Sequence, residues 1–422
     1  LLLLFCIITY MKISVISDCH LNKSLYNIFD KDNPSLPFRT VDYMVAFNSI
    51  IEQNISEIKP DLIVIAGDVY DSFDPSNDLR AFFNLQCKKV IDKGIKLIVL
   101  VGNHDICKKH HALLPIKVFE LNNLHIVDQP VLMKFGNKNL MLFPYSMDVE
   151  SGKIKIKEQF HQFIKSSHET IANDPELKGN ELFFFGHFGV KGATLKSSEN
   201  QTVVSKKMVN KNSEDIGISD LEDIKADYVF LGDYHQYQIL PTKNTIAMYT
   251  GSIEKTDMSE IGQAKGYVVY DDDRTYDEKT GKTYFVEYAN CRPMIELKGN
   301  AQSIIEAITK LPDGMDGAIV KISFEGDRKE LVDFSIALDA IRSSIKDKLD
   351  PVHMFSQQKI MGLNPIDKSE SKLEDAIFEK GHLDEELVMK VVEELISEKE
   401  SDLIEQAALI DLAKSIYKET LL

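Results

Sequence analysis

Leu62-Ile-Val-Ile-Ala66-Gly67-Asp68 and Leu97-Ile-Val-Leu-Val101-Gly102-Asn103-His104-Asp105 share one layout: five apolar residues, a glycine, then side chains that bind metals or carry protons. A short apolar run rich in β-branched residues reads as a strand buried on both faces. In open α/β sheets, sites form beyond the carboxyl ends of such strands. Three further runs end in such side chains, two of them after a glycine. Ile13-Ser-Val-Ile-Ser17 leads into Asp18-Cys19-His20, Leu182–Phe185 into Gly186-His187, and Tyr228-Val-Phe-Leu231 into Gly232-Asp233-Tyr234-His235.

Working outward, strands are expected at Ile13–Ser17, Asp61–Ala66, Lys96–Val101, Leu140–Phe143, Glu181–Phe185, Asp227–Leu231 and Ala247–Tyr249. Between the first two, Val41, Met44, Val45, Ile51, Ile55 and Ile58 recur near a 3.6-residue period, which predicts an amphipathic crossover helix. Tyr267–Tyr270 and Tyr284–Tyr288 read as a hairpin closing this α/β unit. A smaller β-α-β-α pattern follows, with Met294–Leu297, Ala301–Leu311, Ala318–Phe324 and Leu331–Ile345.

At 422 residues the chain is long enough for two or three domains. With 44% hydrophobic and 27% charged residues it has the composition of a globular protein rather than a disordered one. The net charge of −17 excludes binding of polyanions by bulk positive charge. Five widely spaced cysteines with no CxxC pair indicate neither a disulfide scaffold nor a thiolate zinc site. The apolar start Leu1–Ile8 falls far short of the ~20 residues of a bilayer span, so Met11 is read as the true start and residues 1–10 as a non-native upstream extension. A signal or anchor is the alternative reading.

Taken singly, each of these motifs is an ordinary turn. Five of them in order at successive strand ends are hard to explain that way. Carboxylate, imidazole and amide oxygen donors without thiolates suit Mn²⁺, Mg²⁺ or iron. Two such ions sharing a carboxylate can drive an in-line displacement at phosphorus. The glycine before Asp68, Asn103, His187 and Asp233 lets the backbone approach closely.

The order D-x-H, G-D, G-N-H-D, G-H, G-x-x-H resembles that of the calcineurin-like metallophosphoesterases. Within them the chain is similar to the SbcD-type DNA nucleases, through Arg39, the stretch Gly67-Asp-Val-Tyr-Asp71 with Pro75-Ser76, and Tyr249-Thr-Gly-Ser252. The resemblance implies a four-layer α/β/β/α sandwich over residues 11–290, a small α/β cap for DNA recognition over 291–350, and a linker with C-terminal helices over 351–422. It implies two divalent ions, Mn²⁺ with Mg²⁺ as the alternative. Asp18, His20, Asp68 and His235 would bind one; Asp68, Asn103, His187 and Asp233 would bind the other. His104 would contact the scissile phosphate and Asp105 would orient it. Asp233 stands where the family usually has histidine.

The implied activity is that of a DNA exonuclease and endonuclease partnered by an SbcC-like ABC-type ATPase, with homodimerisation, no membrane and a cytoplasmic location. The alternative is a phosphoesterase acting on phosphoproteins or small phosphoesters. Lys108, Lys109, Lys206 and Lys207 are candidate DNA contacts, with solvated loop lysines as the plain alternative. Residues 367–419 carry 16 acidic and 7 basic side chains, so this tail is no DNA-binding arm. Its helically spaced apolar residues, such as Leu383, Leu387, Val391 and Leu395, await either the ATPase or the chain's own cap.

Overall fold

The computed structural model describes residues 10–24, 28–30, 35–107, 112–113, 123–194, 216–326 and 328–360. Expectations for residues 1–9, for Lys108, Lys109, Lys206 and Lys207, and for the tail beyond residue 360 lie outside the described residues.

All seven expected strands form, and they distribute over two six-stranded sheets. The first is built from β1 (Lys12–Ile16), β2 (Leu62–Ala66), β3 (Lys96–Leu100) and β4 (Leu124–Val127), flanked by β11 (Gly266–Asp271) and β12 (Thr283–Glu287), in the order β12-β11-β1-β2-β3-β4. The second holds β5 (Val131–Phe135), β6 (Lys138–Phe143), β7 (Glu181–His187), β8 (Tyr228–Gly232), β9 (Gln238–Ile239) and β10 (Ile246–Tyr249), in the order β5-β6-β7-β8-β10-β9. Strands β1 to β4 are parallel, as are β6, β7, β8 and β10. Parallel pairing with crossovers brings every motif-bearing carboxyl end to one side.

The two-residue period of each strand splits its apolar side chains between two cores. Ile13, Val15, Leu62, Val64, Ile98 and Leu100 of the first sheet pack with Leu140, Leu142, Phe183, Phe185 and Phe230 of the second. The alternate residues, such as Ile63, Ile65, Met141 and Phe184, face helices instead. Helices α1 (Phe38–Gln53) and α2 (Asn77–Asp92) contribute Tyr43, Phe47, Ile50, Phe83 and Val90. After the short α3 (Met147–Glu150), helix α4 (Ile156–Asn173) inserts Phe160 against Phe143 at a ring distance of 5.6 Å. A further short helix, α5 (Ile218–Asp223), precedes β8 and adds Leu221 to the same core. Helix, sheet, sheet, helix is the layering expected. Strand β1 stops at Ile16 because Ser17 turns its hydroxyl to Asp18, Thr250 and the Gly251 carbonyl. The expected crossover helix is α1, whose last turn widens into a π-helix over Asn54–Ile58.

By compactness the chain divides into a unit of Leu1–Leu297, Ile305–Ile322 and Arg342–Ser356 and a unit of Lys298–Ile304, Ser323–Ile341 and Gln357–Leu422. The two large sheets and the candidate site belong to the first unit. Beyond the hairpin the chain forms β13 (Met294–Gly299), α6 (Ala301–Thr309), β14 (Ile319–Gly326), α7 (Arg328–Leu349) and β15 (His353–Ile360). Of these, β15 has no counterpart in the sequence reading.

Candidate metal centre

The register of the two sheets sets the site. Val15 pairs with Val64, Val64 with Ile98, and His187 with Gly232, so the loops after β1, β2, β3, β7 and β8 leave their sheets at the same level. Four of the eight described non-glycine residues with positive φ lie here: Asp18 (50°), His20 (41°), Asp68 (50°) and Asp233 (98°). Left-handed backbone at non-glycine residues is costly and gathers at functional sites.

Six of the seven expected ligands come together. His20 Nε2 lies 3.1 Å from His235 Nε2 and 3.8 Å from Asp68 Oδ2. His187 Nε2 lies 3.0 Å from Asn103 Oδ1 and 3.2 Å from Asp68 Oδ1. Asp18, His20 and His235 form one group whose donor atoms are mutually within 4.8 Å; Asp18, Asp68 and His187 form a second, and His20, Asp68 and His104 a third. Asp68 is thus common to the clusters on both sides, and Asp18 also reaches both. The carboxylate of Asp233 falls in none of these groups. Asp233 lines the adjoining cleft, and its amide donates to Asp18 at 3.1 Å.

What stands behind the imidazoles decides which nitrogen is free. His187 donates from Nδ1 to the Ala66 carbonyl at 2.7 Å. His235 Nδ1 meets Glu260 Oε1 at 2.9 Å, and His20 Nδ1 lies 3.1 Å from Asp71 Oδ1. With Nδ1 of His187 and His235 bonded to an acceptor and that of His20 beside the Asp71 carboxylate, the Nε2 atoms converge on carboxylate oxygens and on each other. A cluster of electron-pair donors at these spacings fits cations between them. The residues therefore suit a pair of hard divalent ions.

The electrostatics agree. Burial would raise Asp68, but His187 and His20 hold it well below the usual carboxylate range. Burial would lower His187, yet Asp68 beside it raises it well above the ordinary imidazole value. Burial also opposes the charged form of His235, and Glu260 outweighs it. For His20, burial wins and lowers it. Burial, with Asp68 and Asp18 nearby, pushes Asp233 up to about 6 against the opposing pull of His187.

His104 is exposed at the cleft, its ring edge-on to His20 at 5.1 Å between centroids. Its amide donates to Asp68 Oδ1 at 3.0 Å, and Nδ1 sits 2.9 Å from the Asp71 carbonyl. The expectation that Asp105 orients this ring is corrected here. Asp105 is fully buried and accepts from the amides of Gly102 (2.9 Å), Tyr70 (2.9 Å) and Val69 (3.2 Å). It therefore ties the loop after β3 to the loop after β2, while the Asp71 carbonyl aims the ring. Arg39, also buried, bonds Asp42 and the Lys255 carbonyl rather than facing the cleft.

Glu260, Lys265 and the carboxylate of Asp71 were not singled out as site residues from sequence. Lys265 Nζ lies 2.7 Å from Glu260 Oε2, and the Thr256 amide donates to the same carboxylate at 2.8 Å. Glu260 follows His235 by 25 residues, across β9 and β10, with no motif spacing to announce it.

Parallel strand ends carrying buried carboxylates and imidazoles, with an exposed histidine beside them, define a metallophosphoesterase. Residues 11–237 match the family described as calcineurin-like phosphoesterase, and the chain belongs to that family of metal-dependent ester hydrolases. Over 270 residues the chain is 26% identical to the SbcD component of nuclease SbcCD from Staphylococcus epidermidis, across 62% of this chain and 67% of that protein. The expected resemblance is borne out. Solved structures with similarity include a dimetal phosphatase from Danio rerio, at 10% identity and TM-score 0.40 over 61% of this chain and 91% of that one. A purple acid phosphatase from Lupinus luteus matches at 12% identity and TM-score 0.39, over 70% and 55% of the respective chains.

Proposed function

We propose that the chain is a Mn²⁺-dependent DNA exonuclease and endonuclease, the nuclease component of an SbcC–SbcD-like recombination and repair complex. The observation that carries a phosphodiesterase reading is the 3.1 Å approach of His20 Nε2 to His235 Nε2 beside the exposed ring of His104. The similarity to the SbcD component of an SbcCD nuclease supports DNA as the substrate.

Asp18, His20, Asp68 and His235 would hold one divalent ion, and Asp68, Asn103 and His187, with Asp233 from the adjoining cleft, would hold the other. Such a pair, when bound, supplies a nucleophile at neutral pH and offsets charge on the phosphate. The protein's own part is orientation. Asp68 and Asp18 fix the spacing of the two positions, and the glycines behind them keep the loops close. His104, aimed by the Asp71 carbonyl, presents Nε2 to the cleft, where it carries a proton to the leaving oxygen. A cleft of about 360 Å³ beside it, lined by Lys23, Gln236 and Gln263 among others, receives the strand next to the scissile bond.

The remaining assignments rest on the same resemblance. The partner is an SbcC-like ATPase, as the similarity to the SbcD component of an SbcCD nuclease suggests. The acidic tail faces that partner, the chain dimerises, and the complex works in the cytoplasm, a host's if the source is viral. Among the described residues no helix is long and apolar enough to cross a membrane.

The test is cleavage of labelled double- and single-stranded DNA with Mn²⁺, with and without an SbcC-type ATPase, beside p-nitrophenyl phosphate and with His104→Ala as control. DNA cleavage lost in the variant is the expected result. Hydrolysis of the small ester alone, even with the ATPase, would give the site to phosphoproteins or small phosphoesters instead.

A further inference from the structure

Arg39 is wholly buried at the start of α1, the crossover helix between β1 and β2, with its guanidinium 5.4 Å from the centre of the Tyr43 ring. Its Nη1 donates to Asp42 at 2.6 Å, and its Nη2 donates to the Lys255 carbonyl and lies 3.6 Å from Glu254. Asp42 also accepts from Arg292 Nε (2.6 Å) and Nη2 (2.5 Å), and Glu254 accepts from the amides of Lys255 (2.7 Å) and Arg292 (3.1 Å). Two guanidinium groups and two carboxylates thus grip Lys255 by both ends of its backbone, the amide through Glu254 and the carbonyl through Arg39. The next residue, Thr256, donates its amide to Glu260 at 2.8 Å and sets its hydroxyl 3.2 Å from His235 Nδ1.

We infer that Arg39 is a positioning residue of the hydrolytic site: through Lys255 it fixes the segment between β10 and β11, and with it the Thr256 and Glu260 groups that aim the His235 ring. The energetics favour placement over stability. A buried ion cluster is often no more stabilising than apolar side chains of the same volume. Here the Arg39 Nε–H is moreover buried without a partner among the described residues, which is costly. What the guanidinium supplies is direction, since its planar fork holds Asp42 on its own helix and Lys255 on the facing segment at once. His20 comes from the first sheet and His235 from the second, and they meet at 3.1 Å. Arg39 reaches from the first sheet's crossover helix to the segment behind His235, so it holds that meeting in register. The inference rests on the metallophosphoesterase site but not on DNA as substrate.

The experiment uses the full chain with Mn²⁺ and bis(p-nitrophenyl) phosphate, a small phosphodiester, beside hydrogen exchange read by mass spectrometry. Arg39→Met keeps an unbranched stem beside Tyr43 and removes both donations. It should lower kcat by about 10–100-fold with KM unchanged. Exchange should quicken over residues 254–260, while β1 and β2 keep the parent's protection. Arg39→Lys, which can serve only one of the two acceptors, should recover part of kcat. Combined with Glu260→Gln, the loss should fall well short of the product of the two single losses, because both changes act on one line of contacts. Should Arg39→Met fail to fold, Arg292→Met, at a side chain 21% exposed, frees Asp42 and should give the same pattern more weakly. Normal kcat, exchange that rises equally along the whole chain, or losses that multiply in full would overturn the inference. The exchange pattern needs no substrate, so failure to cut DNA would leave the inference standing, and normal kcat in Arg39→Met would leave the nuclease reading standing.

Discussion

Gly102 packs so closely on Asp68 that a Cβ added to it would lie 2.1 Å from Asp68 Oδ1. The contact is to the carboxylate and to its own amide, which a Cβ would meet at 2.2 Å, so no flexible side-chain end can yield. Gly102→Ala must push the loop after β3 off the loop after β2. The expected outcome is loss of most Mn²⁺-dependent hydrolysis with a stability cost of about 1–3 kcal/mol, the usual range for overpacking. Parallel urea unfolding and Mn²⁺ binding measurements check it; normal activity would show that the loops can part without disturbing Asp68.

His104→Ala should separate chemistry from metal binding. Its ring touches the site from the exposed side, and the bond that links it to Asp68 is made by its backbone amide, which alanine keeps. A positioned general acid contributes typically about 10²–10⁴-fold. A fall of that size in kcat with unchanged Mn²⁺ stoichiometry is expected. A loss of bound Mn²⁺ in step with activity would make His104 a ligand, as its grouping with His20 and Asp68 allows.

Asp233 is tested by pH as well as by mutation. Its carboxyl is pushed up to about 6, from 3.8, by burial and by Asp68 and Asp18. In the metal-free protein it therefore keeps its proton below about 6, and a metal must displace that proton to bind there. Mn²⁺ affinity should rise as pH rises through this range, with protons released on binding, as calorimetry in two buffers of different ionisation enthalpy would register. Asp233→Ala should flatten that pH dependence and remove most Mn²⁺-dependent activity. Full activity in the variant would exclude Asp233 as a ligand, consistent with its carboxylate lying outside the three donor groups.

Five motif-bearing strand ends, four of them led by a glycine, were legible because a parallel sheet makes distant segments equivalent: each apolar run stops where its ladder stops, and the next residues share one edge. The sequence reading reached Asp18, His20, Asp68, Asn103, His187 and His235 for that reason. It did not reach the layer behind them. Glu260 meets His235 through the irregular segment after β10, and Lys265 joins it from the residue before β11, so neither has a local period or spacing. Asp105 was given the wrong role because adjacency to His104 in sequence says nothing about direction; its carboxylate turns inward to three amides. Strands β4 and β5 were missed on different grounds. Leu124–Val127 has only four residues, one of them a histidine, and Val131–Phe135 lies at a sheet edge with a half-exposed pattern.

Lys138 joins the two sheets and should be felt in stability rather than catalysis. It sits in β6 of the second sheet, 1% exposed, and reaches Tyr270 Oη at 3.2 Å on β11 of the first sheet and Asp272 Oδ1 at 3.0 Å, with Glu181 as a third partner. Lys138→Met keeps the aliphatic stem between Phe183 and Tyr270 but removes the charge that Asp272 faces. The loss is expected at about 1–3 kcal/mol, the range for hydrogen bonds to charged groups, read from urea unfolding near neutral pH. Burial raises the Asp272 carboxyl, but the Tyr270 hydroxyl and Lys138 more than offset this and hold it below its ordinary 3.8. A depressed folded-state value contributes stability that is present above 3.8 and disappears as pH falls below it through the folded value. The parent should therefore lose stability on the acid side more steeply than Lys138→Met, and the two curves should converge at low pH. Parallel curves down to acid pH would mean that Lys138 acts by packing alone.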